Sequence, residues 1–219
     1  MEKAKTAAPP PSPLFASIPP EEVPVLLAGL QAERRSYQKG EILLHAGETT
    51  GRFGLAAAGT LQIVKEDMDG SATLLAQIRP GELFAEAFAA AGLPLSVSVR
   101  AEEEAAVLWL DYRRLTSPCR DAGPFHAVLT GNLLRILSRK NIFLTGRIEH
   151  LSRRTLREKV LSYLSEEAVR QGSRSFAIPL DRQGLADYLA ADRSALSAVL
   201  GRLRREGVLT FRKNEFTLR

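Results

Sequence analysis

The feature that most constrains this chain is a change of texture near residue 118. After Pro124 no proline occurs through Leu151, and Leu134, Leu137, Leu144, Ile148 and Leu151 fall three, four or seven residues apart. That spacing draws one apolar seam along a helix of about 28 residues, about 42 Å long. A small domain has little use for a seam of that length. The spacing therefore predicts a helix that packs against a copy of itself, with Asn141 as a polar register marker inside the seam. The alternative is a long helix lying on its own domain. Beyond it, Thr155 and Glu158 have capping-box spacing and open a new helix reaching about Glu167.

Before residue 118 the chain consists of short aliphatic runs broken by Gly40, Gly47, Gly51, Gly59, Gly70, Gly81, Gly92 and Pro94. Turns about every ten residues indicate an all-β barrel or jelly roll. Residues 61–65 and 72–78 read as a hairpin, with Gly70 supplying the positive φ of its turn. Residues 1–13 carry four prolines and few large apolar groups, so this segment is expected to be a disordered tail.

Residues 181–205 hold the sharpest motif. Leu185, Leu189, Leu196, Val199, Leu200 and Leu203 can close a small core between two crossing helices joined by a turn at Ala190 and Ala191. Asp192 stands where it can cap the second helix, which leaves Arg193, Ser194 and Ser197 on its exposed first turns. In a helix-turn-helix this is the part that enters the DNA major groove. Arg193 suits a bidentate contact to guanine, its alternative being a phosphate contact or solvation. Residues 207–219 alternate apolar and polar around Lys213 and Asn214, the pattern of a β-hairpin wing with Arg212 and Lys213 at its tip. The residues assigned to DNA are Arg182, Gln183, Asp192, Arg193, Ser194, Ser197, Arg202, Arg212 and Lys213.

Charge supports the assignment. Residues 1–119 hold 11 Lys+Arg against 15 Asp+Glu and residues 120–219 hold 19 against 10, so the net +5 divides into −4 and +9. A basic rear half suits a polyanion, because phosphate neutralisation supplies most non-specific DNA affinity. A protein-binding scaffold that leaves DNA alone is the competing class, and the salt dependence of binding separates the two. No glycine-rich phosphate loop, nucleophile elbow or histidine-rich metal spacing points to an enzyme. A single cysteine, Cys119, excludes an iron–sulfur cluster held by four cysteines of one chain. Neither a secretory core nor a membrane span is evident, so a cytoplasmic protein is expected.

These features together resemble the CRP/FNR family of bacterial transcription regulators from Pro13, Leu14 and Phe15 to the end. The barrel motifs are residues 37–41 (Tyr-Gln-Lys-Gly-Glu), Gly47 with Glu48, residues 59–65 (Gly-Thr-Leu-Gln-Ile-Val-Lys), 79–84 (Arg-Pro-Gly-Glu-Leu-Phe) and 99–101 (Val-Arg-Ala). The fold implied is α+β: an N-terminal β jelly-roll barrel, a long dimerisation helix and a C-terminal winged helix-turn-helix. Its divisions are a Pro-rich tail over 1–13, an effector-sensing barrel over 14–118, the dimerisation helix over 119–152 and the DNA-binding domain over 153–219. The resemblance implies a homodimer on a pseudo-palindromic operator with half-sites about 34 Å apart, and RNA polymerase as a further partner.

The resemblance also implies an effector pocket at Phe84, Glu86, Leu95, Ser96, Lys140, Leu144 and Thr145. Family members that bind cyclic AMP hold its phosphate with a Gly-Glu pair and a downstream Arg-Ser pair. Here Ala85 replaces the glycine, Leu95 stands in the arginine's place, and the loop is a residue short. Tight cyclic AMP binding is therefore not expected, and the effector is unknown. Ser194 and Ala198 replace a glutamate and an arginine common on the family's reading helix. Haem-based gas sensing occurs in the family, which makes His126 a weak candidate ligand; for His45 and His150 a surface or core role is expected. A redox role for Cys119 is the other sensor variant.

Overall fold

The computed structural model describes residues 9–66, 72–117 and 124–219. Gly70, Cys119 and the expected boundary at residue 118 lie outside the described residues. The chain forms two compact units, Met1–Ser138 and Arg139–Arg219, which part within the long helix.

In the first unit order begins before Leu14. Ser12 caps a single helical turn, Pro13–Phe15, by accepting from the Leu14 amide, and its hydroxyl donates to the Gly81 carbonyl at 2.7 Å. The tail expected to be disordered through Pro13 is thus anchored at Ser12, by a bond to a residue 69 positions away. Helix α1 (Val23–Gly29) follows and buries Val23, Leu26 and Leu27.

Among the described residues eight strands then build the barrel: β1 (Glu33–Tyr37), β2 (Ile42–Leu44), β3 (Arg52–Ala58), β4 (Leu61–Glu66), β5 (Ala72–Ile78), β6 (Leu83–Phe84), β7 (Ser98–Ala101) and β8 (Ala105–Asp111). Short helices α2 (Glu86–Ala91) and α3 (Tyr112–Thr116) sit between β6 and β7 and after β8. The strands form two antiparallel sheets, β1-β8-β3-β6 and β2-β7-β4-β5. The predicted hairpin is β4 with β5, paired from Leu61 opposite Ile78 to Glu66 opposite Ala72 with a shift of register between Ile63 and Val64.

Strand β8 shows why the barrel is stable. Strand side chains alternate between the two faces of a sheet, and both faces of β8 are buried. Ala105, Val107 and Trp109 enter the barrel interior, whereas Leu108 and Leu110 join a second core with α1, α3 and Leu129 and Leu133. This explains a run of six consecutive buried residues in place of an apolar-polar alternation.

The long helix α4 runs over His126–Leu151, about 39 Å at the usual rise. Its first turns belong to the barrel unit, where the buried Asn132 amide donates to the carbonyls of Leu14 at 2.9 Å and Ala16 at 2.7 Å. The second unit adds α5 (Leu156–Gln171), β9 (Ser175–Ala177), α6 (Arg182–Tyr188), α7 (Arg193–Arg205), β10 (Leu209–Arg212) and β11 (Glu215–Leu218). The capping box at Thr155 and Glu158 is present in both directions, and α5 runs to Gln171, four residues past the expected Glu167, with Gly172 as its left-handed C-cap. Among the described residues no helix is long and apolar enough to cross a membrane.

Candidate nucleic-acid interface and effector barrel

The helix pair α6–α7 is built on one apolar cluster. Leu185, Leu189, Leu196, Leu200 and Leu203 are all nearly inaccessible and meet Val160 and Leu164 of α5 and Leu209 and Phe216 of the wing. Burial of a leucine of this kind contributes about 1.5–3 kcal/mol. The small side chain of Ala186, also fully buried, lets the helices cross closely. Asp181 caps α6 by accepting from the Gly184 amide at 2.7 Å. The chain then turns through Ala190, which is left-handed at φ 49° without being glycine.

Helix α7 departs from expectation in its cap. Asp192 occupies the N-cap position and its carbonyl accepts the first helical bond from Leu196, but its side chain makes no capping hydrogen bond. Its carboxylate therefore adds charge near the helix start and does not satisfy an orphan amide. Arg193, Ser194, Ser197 and Arg202 are all exposed, opposite the buried face. Ser197 donates its hydroxyl to the Arg193 carbonyl at 2.8 Å, so it faces outward as an acceptor.

Three cations converge beside the first turn of α7. A cleft of about 510 Å³ is lined by Pro179, Asp181, Arg182, Gln183, Arg193, Lys213 and Asn214. Arg182 is half-buried, donates to the Lys213 carbonyl at 3.4 Å, and lies 5.0 Å from the centre of the Phe211 ring. Arg204 approaches the same ring at 5.2 Å, a contact the sequence did not single out. Burial, then the nearby charge of Arg193, lowers the Arg182 pKa, although a guanidinium remains ionised in proteins. Asp181 is committed to its cap and Gln183 donates to Asp187 at 2.8 Å. Among the described residues none of these cations has an acid as an ion-pair partner, and such a cluster suits an anion, which a phosphate backbone supplies.

The wing is the predicted hairpin. Arg212 pairs with Glu215 across a two-residue turn in which Lys213 takes φ 55°. Asn214 donates to the Ile178 carbonyl at 2.8 Å and fixes the turn against the body of the unit. A third strand, β9, pairs with β11 through Phe176 opposite Phe216. Its three residues lie between polar loops with no alternation to read.

In the barrel the expected effector residues divide. Phe84 and Leu95 are core: both join Tyr37, Leu44, Val99 and Trp109 in the interior cluster, and Leu95 is 3% exposed. Phe84 packs edge-on to Trp109 at 5.4 Å, and the Trp109 indole donates to the Tyr37 hydroxyl at 2.8 Å. A Cβ on Gly54 would lie 2.1 Å from Phe84, so only glycine fits beneath that ring. Glu86 opens α2 and is buried, whereas Ser96 is exposed. Ala85 has φ 61°, a conformation suited to the glycine that the resemblance leads one to expect at this position. Lys140, Leu144 and Thr145 are exposed on α4 in the second unit.

The seam residues are mostly uncovered. Leu134, Leu144 and Ile148 are 66%, 53% and 67% exposed, and Asn141 is exposed with them. Leu137 instead turns partly into the core shared with α1, and Leu151 is half-buried. His126 holds the Arg114 carbonyl with Nε2 at 3.1 Å, which fixes that nitrogen as the donor. His45 is exposed and His150 is buried.

Comparison with known proteins agrees with this architecture. Residues 34–121 match the family model of the cyclic nucleotide-binding domain, and residues 158–219 that of the Crp-like helix-turn-helix domain. The chain is 29% identical over 201 residues to the cyclic AMP receptor protein of Thermus thermophilus, covering 90% of this chain and 88% of that protein. Among solved structures it is similar to the catabolite activator protein of Thermus thermophilus, with 25% identity, TM-score 0.50 and coverage of 95% of this chain and 94% of that one. The structure of CprK complexed with OCPA shares the fold with TM-score 0.62 at 18% identity, covering 88% of each chain. With a cyclic nucleotide-binding domain in front of a Crp-like helix-turn-helix domain, this chain belongs to the CRP/FNR family of DNA-binding transcription regulators.

Proposed function

We propose that the protein is a homodimeric regulator that reads a pseudo-palindromic operator through α7 and obeys an effector other than cyclic AMP. The observation that carries the DNA reading is the convergence of Arg182, Arg193 and Lys213 on one cleft at the start of α7. On this reading exposed Arg193 contacts a base edge, with Ser197 one turn along as an acceptor, and Arg182, Arg212 and Lys213 contact the phosphates that set register. Exposed Leu134, Leu144 and Ile148 support pairing of α4 with its copy, since a line of aliphatic side chains in water is stabilised by burial against another.

The effector reading rests on Leu95. A cyclic phosphate brought to this position would meet a packed leucine, and a buried anion without a charged partner loses several kcal/mol. The name of the Thermus relative describes that protein's ligand; the residue expected to neutralise a cyclic phosphate is missing here.

The test is fluorescence anisotropy on a duplex that the protein selects from a random pool, repeated across salt concentrations. The expected result is specific binding that weakens steeply with salt, roughly in proportion to the phosphates neutralised. Salt-insensitive binding, or no preference over random duplex, would overturn the reading.

A further inference from the structure

Two side chains near the end of α4 tie it to the reading unit without approaching the cleft at α7. Arg147 donates through Nε to the Tyr188 carbonyl at 3.1 Å and through a terminal nitrogen to the Asp187 carbonyl at 3.0 Å. These are the last carbonyls of α6, the end at which a cation is favoured. The same guanidinium lies 5.4 Å from the Tyr188 ring. One turn on, His150 is 2% exposed and its Nε2 lies 3.0 Å from a Glu166 carboxylate oxygen. A carboxylate only accepts, so Nε2 is the donor of that contact, and Nδ1 lies 3.0 Å from the Ser162 hydroxyl. The imidazole also stands edge-on to Tyr163 at 5.7 Å and near Tyr188 at 6.0 Å.

We propose that Arg147 and His150 are positioning residues for operator binding: they fix α6 and α5 on the last turns of α4 and so set the separation of the two α7 helices in the dimer. The inference rests on the dimeric reading above. Arg147 holds the helix that leads directly into the reading turn, and His150 holds α5, whose Val160 and Leu164 pack in the same core as α7. Bonds at two points on successive turns oppose rotation as well as translation, which one contact would not. Arg147 is only half-buried, so its loss should change geometry more than folding.

The test uses full-length protein and a duplex selected by the wild type, with copies whose centre is lengthened or shortened by one, two and three base pairs. The wild type should prefer one spacing by at least about tenfold, as a dimer reading two half-sites requires. Arg147→Met with His150→Leu should flatten that preference to about threefold or less, with affinity for random duplex and its salt slope unchanged. Should that pair not fold, the milder Arg147→Lys and Ser162→Ala decide. A partly flattened preference at an unchanged melting temperature supports the proposal. A loss of affinity equal at every spacing, or an unchanged optimum, overturns it. A wild type with no optimum at all would instead sink the dimeric reading.

Discussion

In the barrel, the position expected to meet a phosphate holds Leu95, packed beside Phe84 and Trp109; in the reading unit, Arg182, Arg193 and Lys213 line one cleft, with no acid as an ion-pair partner among the described residues. The barrel position is packed and uncharged, whereas the three cations of the reading unit line a cleft. A polar binding site costs stability wherever its groups lack partners. Ala85 in the same barrel carries a cost of its own, since a left-handed residue with a side chain costs roughly 1–2 kcal/mol.

The comparison can be broken most forcefully at Leu95. Leu95→Arg restores the expected arginine in name only, and places a charge in an apolar interior. We predict destabilisation of about 3–5 kcal/mol and no tight cyclic AMP binding. Chemical denaturation reads the first and calorimetry the second; a folded variant that binds the nucleotide would show the site to be intact. Next in size, Leu200→Ala should cost about 2–5 kcal/mol by opening a cavity between α6 and α7, with specific DNA binding falling as the unit loosens. Retained stability there would mean that this core does not hold the reading helix.

Arg193→Ala sharpens the other side. Its expected effect is a loss of about 1–3 kcal/mol of discrimination at one base pair, with the fold unchanged. Uniform weakening across sequences in a gel-shift panel would move Arg193 to the phosphates. The smallest expected effect is that of Thr155→Ala, about 1 kcal/mol in stability through the lost N-cap. A thermal melt without change would show that α5 is held by its core contacts alone.

Local rules made much of this legible. The capping box at Thr155, the hairpin around Lys213 and the leucine spacing of α6 and α7 each follow from residues within a few positions of one another. Leu95 and Ala85 were legible as departures only through the family resemblance; their packing and backbone angle came from the structure. What escaped depends on distant partners. Ser12 meets Gly81, Arg147 meets Tyr188, and Arg204 shares the Phe211 ring with Arg182, with no periodicity to announce any of them. Asp192 shows the converse, a residue with the right type and position whose side chain leaves the cap unmade. Leu137 belongs to the seam by spacing, yet turns partly toward α1 because a helix face has width and the first turns of α4 serve the barrel.

The most direct test of the central claim is a calorimetric titration of the full-length protein with cyclic AMP. The account predicts no saturable heat at micromolar nucleotide, because Leu95 occupies the place of the neutralising cation. Micromolar or tighter affinity would contradict it.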